Sequence, residues 1–122
     1  MTDRWKLLNN INRISPNGLE ATARVPEDCV WFEGHFPEQP ILPGIALLHS
    51  VYEAIAWDAQ DRGEALEIAS LKRIRFTSPV FPGETFFLNL TRENSGEERL
   101  FSFQVSVKEK IICSGLVTAK KI

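Results

Sequence analysis

Hydrophobic residues recur at every second position through most of the second half of the chain. The runs with this period are residues 68–76, 85–91, 99–108 and 111–119. Turn-forming residues separate them at 79–84, 94–97 and 109–110. A period of two is typical of a strand with one buried face, so these runs predict four strands. The short connections indicate that consecutive strands are antiparallel neighbours.

The first half of the chain predicts two strands and then one long helix. Residues 7–14 and 19–25 read as strands joined by a turn at 15–18, and asparagines make the first of them the weaker strand former. Residues 43–62 predict the helix, because Pro43 suits a first helical turn and Gly63 suits a helix end. Apolar residues occupy almost every side of this helix, so it must be surrounded by protein.

These elements favour an α+β fold in which a curved antiparallel sheet wraps around one long central helix, as a single domain over residues 1–122. A single sheet cannot cover such a helix on every side. We therefore expect a second subunit to cover the remaining side, most simply by two-fold symmetry.

Composition excludes several classes of function. The net charge is −2 and the 14 Lys and Arg residues are scattered, which disfavours nucleic-acid binding. Cys29 and Cys113 do not form a zinc-site spacing with the two histidines, so we expect buried thiols, no metal, no cofactor and no disulfide framework. Neither a signal peptide nor a membrane span of roughly 20 apolar residues is present, so we expect a cytoplasmic protein that does not enter the membrane.

Two separated motifs carry a family resemblance. Residues 34–44 read Gly-His-Phe-Pro-Glu-Gln-Pro-Ile-Leu-Pro-Gly, and residues 76–84 read Phe-Thr-Ser-Pro-Val-Phe-Pro-Gly-Glu. Both resemble motifs of the 3-hydroxyacyl-acyl-carrier-protein dehydratases, which have the hotdog fold, and the likeness runs from about residue 5 to the end. The first motif and the short length are most similar to the dehydratase-like members of aryl polyene gene clusters. The resemblance implies dehydration of 3-hydroxyacyl thioesters to trans-2-enoyl thioesters, on acyl carrier protein and without a cofactor.

The resemblance also implies roles for residues in the first motif. His35 corresponds to the general base, and its unperturbed pKa of about 6.5 suits that task. The backbone N–H of Gly44 corresponds to the oxyanion donor, beside Pro43 and Ile45 at the helix start, where unpaired amides and the helix dipole favour negative charge. The alternative is structural: His35 caps backbone groups, and Pro43 and Gly44 only begin the helix.

The sequence departs from the family at the second catalytic position. The family has a carboxylate at the position of His49 and commonly a glutamine at that of Glu53, and these two residues lie four apart on one helix face. Three alternatives follow. His49, charged beside Glu53, replaces the missing acid; Glu53 itself reaches the substrate, although one turn displaces it by roughly 5.4 Å; or the pair is structural in a protein that binds acyl thioesters without dehydrating them. A mutual hydrogen bond is expected in every case.

Other side chains suggest contacts with the ligand and its carrier. Lys72, Arg73 and Arg75 form either a basic edge for an acidic carrier protein or an ordinary charged strand face. Four aromatic residues line either an acyl tunnel or the core: Trp31, Phe32, Phe36 and Tyr52. The alternatives to a dehydratase are an acyl thioesterase acting on carrier-protein or CoA thioesters, and a non-catalytic acyl-binding subunit that pairs with a related subunit.

Overall fold

The structure is a computed structural model that describes residues 5–32 and 41–122. In chain order its elements are β1 (Asn10–Ser15), β2 (Gly18–Arg24), the 3-10 helix η1 (Val30–Phe32), α1 (Gly44–Arg62), β3 (Leu66–Phe76), β4 (Thr85–Ser95), β5 (Glu98–Val107) and β6 (Lys110–Lys121). Within the described residues, the strands form one six-stranded antiparallel sheet in the order β1-β2-β4-β5-β6-β3. The predicted α+β arrangement of one helix and a wrapping sheet is confirmed.

Helix α1 has the predicted bounds to within one residue. Pro43 is extended, with φ −65° and ψ 148°, and directly precedes the first helical residue. Gly63 adopts a left-handed conformation with φ 69°, and its N–H donates to the carbonyl of Gln60. A residue without Cβ adopts this conformation at little cost, which is why the helix ends at Arg62.

The core lies between α1 and the concave face of the sheet. Strands β4 and β5 alternate strictly, so that Phe86, Leu88, Phe101 and Phe103 are buried while their neighbours in sequence face outward. Val51 belongs to the set of α1 residues buried against them. The buried face of the helix, which follows the helical period, therefore packs against the buried face of the strands, which follows the period of two, in one hydrophobic layer.

The expectation that consecutive strands are neighbours is wrong for β3 and β4. β3 pairs with β6 at one edge of the sheet, whereas β4 pairs with β2 and β5 in the middle. The connection 77–84 is long enough to cross from the edge, and it is held across the helix start by the Leu42 N–H, which donates to the carbonyl of Val80. β3 is consequently an edge strand.

The β5–β6 hairpin turns one residue earlier than predicted. Its two turn residues are Lys108 and Glu109, with φ values of 51° and 66°. Positive φ at both central positions is the geometry that matches the twist of two antiparallel strands. β4 is also longer than predicted and ends at Ser95.

A buried ionic cluster joins the end of α1 to the sheet. Asp58 is 2% exposed and accepts hydrogen bonds from Arg13 on β1 (2.6 Å), Arg62 (2.9 Å) and Arg92 on β4 (2.8 Å). Arg92 also donates to Glu64, at 2.7 Å. Burial disfavours the Asp58 carboxylate, but the three guanidinium groups outweigh it, so the pKa of Asp58 lies below its usual range.

Replacing Asp58 with alanine is expected to lower the free energy of unfolding by about 3 kcal/mol, because the buried guanidinium of Arg92 loses one of its two carboxylate partners and keeps Glu64. Asp61→Ala is the control: Asp61 shares Arg13 but its side chain is 49% exposed, so its loss should cost less than about 1 kcal/mol. Urea denaturation measures both.

The contribution of Asp58 to stability also depends on pH. Because the pKa of Asp58 is lower in the folded state, its contribution to the free energy of unfolding is present above the unfolded pKa of about 3.9 and is lost as pH falls through the folded value. Equal losses in the two variants would contradict the assignment.

Candidate active site

An apolar cavity of about 280 Å³ lies between the first half of α1 and strands β3 and β6. Its lining residues are Trp31, Ile45, Leu48, His49, Val51, Tyr52, Ile55, Ile68, Leu71 and Val117. The polar side-chain groups in this lining belong to Trp31, His49 and Tyr52. A mostly apolar cavity with a few polar groups is typical of a site for a small apolar ligand.

His49 lies in the second turn of α1, on the wall of this cavity. Its ring centroid is 5.6 Å from that of Trp31 and 6.3 Å from that of Tyr52. Its Nε2 atom is buried and has no hydrogen-bond partner within residues 5–32 and 41–122. A buried polar atom without a partner costs free energy, and Nε2 lies 3.7 Å from Oε1 of Glu53.

The expectation that His49 and Glu53 form a hydrogen bond with each other is wrong. Glu53 Oε1 lies 3.7 Å from His49 Nε2, and it accepts a hydrogen bond from the Leu7 backbone N–H at 3.2 Å. A backbone donor from the chain that precedes β1 has taken the place of the imidazole. Burial raises the pKa of Glu53, with the Leu7 hydrogen bond and His49 opposing that rise.

Glu53 belongs to a second cavity, of about 410 Å³, on the other side of His49. Its lining residues are Lys6, Leu8, Ile11, His49, Tyr52, Glu53, Ala56, Trp57 and Gln60. His49 and Tyr52 therefore separate two cavities, and Glu53 does not line the one that contains Trp31.

The last four residues of the first motif, 41–44, meet the second motif at the start of α1. The helix start and the segment after β3 together line a cavity of about 550 Å³, formed by Ile41, Leu42, Pro43, Gly44, Leu47, Phe76, Thr77, Ser78, Pro79 and Val80. A Cβ atom on Gly44 would lie 2.9 Å from ring atoms of Phe76, so glycine permits this close approach. Within the described residues, no side chain forms a capping hydrogen bond at Pro43. Within one chain, Gly44 and His49 line different cavities, while Ile45 lines that of His49.

The remaining predicted site residues have mixed outcomes. His35 and Phe36 lie outside the described residues. Lys72, Arg73 and Arg75 are exposed on β3, the edge strand, and Arg73 has φ 55° at an irregularity in the pairing with β6. Arg73 and Arg75 share a groove with outward-facing residues of β4, β5 and β6, such as Asn89 and Gln104, as expected of a charged strand face. Contact of these basic residues with a carrier protein stays a prediction.

The segment before β1 takes part in the site, which the sequence did not indicate. The indole N–H of Trp31 donates to the backbone carbonyl of Trp5 at 2.8 Å, and the two rings lie 4.8 Å apart. Leu7, 4% exposed, packs into the core. The first predicted strand included residues 7–9, which is wrong, because β1 begins at Asn10 and the described residues before it have no regular secondary structure.

Cysteine chemistry is disfavoured at this site. Cys29 and Cys113 are both buried as free thiols, as predicted, and burial raises the pKa of Cys113 to about 11. In the described part of the chain, no group of three His, Cys, Asp or Glu residues is arranged to hold a metal ion. The helices described there are too short or too polar to cross a membrane.

The helix, the wrapping sheet and the two motifs at the helix start define a hotdog-fold protein. Residues 11–116 match the family described as ApeI-like, ApeI dehydratase, so the chain belongs to that family of hotdog dehydratases. It is 31% identical over 112 residues to the 3-hydroxyacyl-[acyl-carrier-protein] dehydratase FabZ of Tolumonas auensis, covering 84% of this chain and 74% of that protein. FabZ of Levilactobacillus brevis is 28% identical over 120 residues, covering 91% and 79%.

Solved structures share the fold at lower sequence identity. The dehydratase heterocomplex ApeI:P from Xenorhabdus doucetiae aligns with a TM-score of 0.75 and 19% identity, covering 93% of this chain and 96% of that one. The PaaI protein of the E. coli phenylacetic acid degradation operon aligns with a TM-score of 0.74 and 16% identity, covering 93% and 78%. At these identities the likeness concerns the fold alone.

Proposed function

We propose that this protein dehydrates 3-hydroxyacyl thioesters of acyl carrier protein to trans-2-enoyl thioesters. The observation that carries the proposal is His49, which lies on the wall of an apolar cavity and whose Nε2 has no hydrogen-bond partner within the described residues. This is the helix position at which the resembling dehydratases have their carboxylate. Membership of the dehydratase family supports the reaction class.

The proposed reaction uses a base and an acid on opposite sides of one C–C bond. His35 removes the proton from C2, next to the thioester carbonyl, and the Gly44 N–H stabilises the negative charge that develops on the carbonyl oxygen. His49, as the imidazolium, gives its proton to the 3-hydroxyl, which leaves as water while the C2–C3 double bond forms. The Glu53 carboxylate, 3.7 Å from Nε2, stabilises the positive charge of that ring.

We propose that the active form is a two-fold dimer. β3 leaves one edge of the sheet unpaired, and the neighbouring surface of α1 and β3 exposes large apolar side chains: Ile45, Tyr52, Ile68, Leu71 and Phe76. Pairing of two β3 edges would cover this surface and the open side of the helix. Within one chain, Gly44 and His49 line different cavities. In the proposed dimer, Gly44 of one subunit and His49 of the other form a shared site.

A non-catalytic subunit is the second candidate. The exchange of the helix carboxylate for His49 favours it, as does the fold likeness to a dehydratase that is solved as a heterocomplex. Such a subunit would bind acyl thioesters and would pair with a related, active chain. In either case Lys72, Arg73 and Arg75 are proposed to contact the acidic carrier protein.

Purified protein is expected to hydrate a short trans-2-enoyl thioester, because dehydration is reversible, and loss of the enoyl absorbance measures the rate. His35→Ala should reduce this rate by at least about 10², the usual contribution of a general base. Cys29→Ala, a small change outside the proposed chemistry, is the control. No rate above buffer with several chain lengths, together with tight binding of acyl carrier protein, would establish the non-catalytic subunit instead. Release of free thiol would indicate a thioesterase.

The variant His49→Glu distinguishes a site in which His49 is the proton donor from a site that has only lost its carboxylate. If His49 is the acid, the variant should be at least about tenfold slower than the parent, because a second carboxylate would then lie beside that of Glu53. His49→Leu, which has no proton to give, should lose about 10² or more in the same assay. A His49→Glu variant faster than the parent would show that the site had merely lost its carboxylate.

The dimer is expected to depend on Leu71, which is 50% exposed on the edge strand. Leu71→Lys should shift the protein from dimer to monomer in sedimentation, because it places charge within the covered apolar surface. Phe87→Lys is matched for exposure, at 46%, but lies on β4 in the middle of the sheet, and it should leave the dimer intact. A monomeric parent protein would contradict the proposed assembly.

A further inference from the structure

A closed circuit of contacts joins the segment 5–8, the 3-10 helix and α1. The Glu53 carboxylate accepts the Leu7 N–H at 3.2 Å, and two residues earlier the Trp5 carbonyl accepts the Trp31 indole N–H at 2.8 Å. The Trp31 ring lies 5.6 Å from that of His49, whose Nε2 is 3.7 Å from Glu53 Oε1. The circuit therefore begins and ends at Glu53.

Glu53 does not line the cavity in which we propose that the ligand binds. Its side chain is 9% exposed and faces the second cavity, whereas Trp31 and His49 line the first. The titratable and charged groups that share its cavity are Lys6 from the segment and His49 and Tyr52 from α1. A nearly buried carboxylate costs free energy unless it is hydrogen-bonded or paired, and the Leu7 N–H is the hydrogen-bond donor to Glu53 here.

We propose that Glu53 is a positioning residue, which holds the segment 5–8 on α1 and, through Trp5, fixes the Trp31 ring against His49. Glu53 thereby sets the shape of the 280 Å³ cavity and the orientation of the His49 ring without contacting the ligand. The inference rests on the proposed function in one respect, that this cavity holds the acyl group.

Two variants of Glu53 separate its hydrogen bond from its charge. Glu53→Gln keeps a side-chain oxygen that can accept the Leu7 N–H, whereas Glu53→Leu has no acceptor. Trp31→Phe keeps an aromatic ring beside His49 but loses the donor to the Trp5 carbonyl. Trp31→Phe removes a different contact of the set, so the proposal can still be tested if Glu53→Leu does not fold.

The first readout needs neither substrate nor turnover. In hydrogen exchange followed by NMR, the Leu7 N–H and the Trp31 indole N–H should exchange at least fivefold faster in Glu53→Leu than in the parent. The Leu7 N–H loses its acceptor, and the Trp5 carbonyl that accepts the Trp31 N–H is no longer fixed in position. Glu53→Gln should stay within about twofold of the parent. Trp31→Phe should speed exchange of the Leu7 N–H as well. Unchanged exchange in both Glu53→Leu and Trp31→Phe would overturn the proposal.

The second readout tests the consequence for the cavity. A non-reactive acyl-pantetheine amide should bind the parent and Glu53→Gln with affinities within about threefold of each other, and Glu53→Leu and Trp31→Phe at least tenfold more weakly. In turnover, Glu53→Gln should keep its KM while its pH profile changes, because the charge beside His49 is gone. Faster exchange with unchanged ligand affinity would overturn the positioning role. A parent that binds no acyl ligand would refute the proposed function while the exchange data still tested the contacts of Glu53.

Discussion

A single helix that is apolar on nearly every side has to be covered, and the rest of this structure follows from how that is done. The sheet covers one side with the alternating inward residues of β4 and β5. The segment before β1 covers another through buried Leu7. Among residues 5–32 and 41–122, none covers the side toward β3 completely, and the apolar cavity of His49 lies there. The candidate site is thus located where the sheet stops covering the helix, at the surface that we propose as the dimer contact.

The two ends of α1 are held by different physical means. At the start, the Leu42–Val80 bridge brings the two sequence motifs together, and the Phe76 ring lies against Gly44. At the end, Asp58 accepts hydrogen bonds from three arginines on three elements. These fixed ends orient the second turn, so that His49 faces an apolar cavity on one side and Glu53 lies on the other.

The sequence predicted whatever depends on local period, and it missed what depends on distant partners. Helix α1 and the strand runs were found because burial imposes periods of 3.6 and 2, and the glycine at position 63 marked the helix end. The place of β3 beyond β6 was missed because a connection of that length permits either neighbour. The Asp58 cluster was also missed, since Arg13 and Arg92 lie 45 and 34 residues away. The Leu7 donor to Glu53 comes from residues that were predicted to belong to the first strand but that precede β1.

The central claim is that His49 has replaced the carboxylate of a dehydratase and acts as its proton donor. A crystal structure of the assembled protein with a non-reactive 3-hydroxyacyl-pantetheine amide tests it most directly. We expect the acyl chain in the cavity between α1 and β3, with the 3-hydroxyl about 2.6–3.2 Å from His49 Nε2 and His35 on the other face of C2. An acyl chain bound elsewhere, or a 3-hydroxyl that contacts neither His49 nor a group held by it, would contradict the claim.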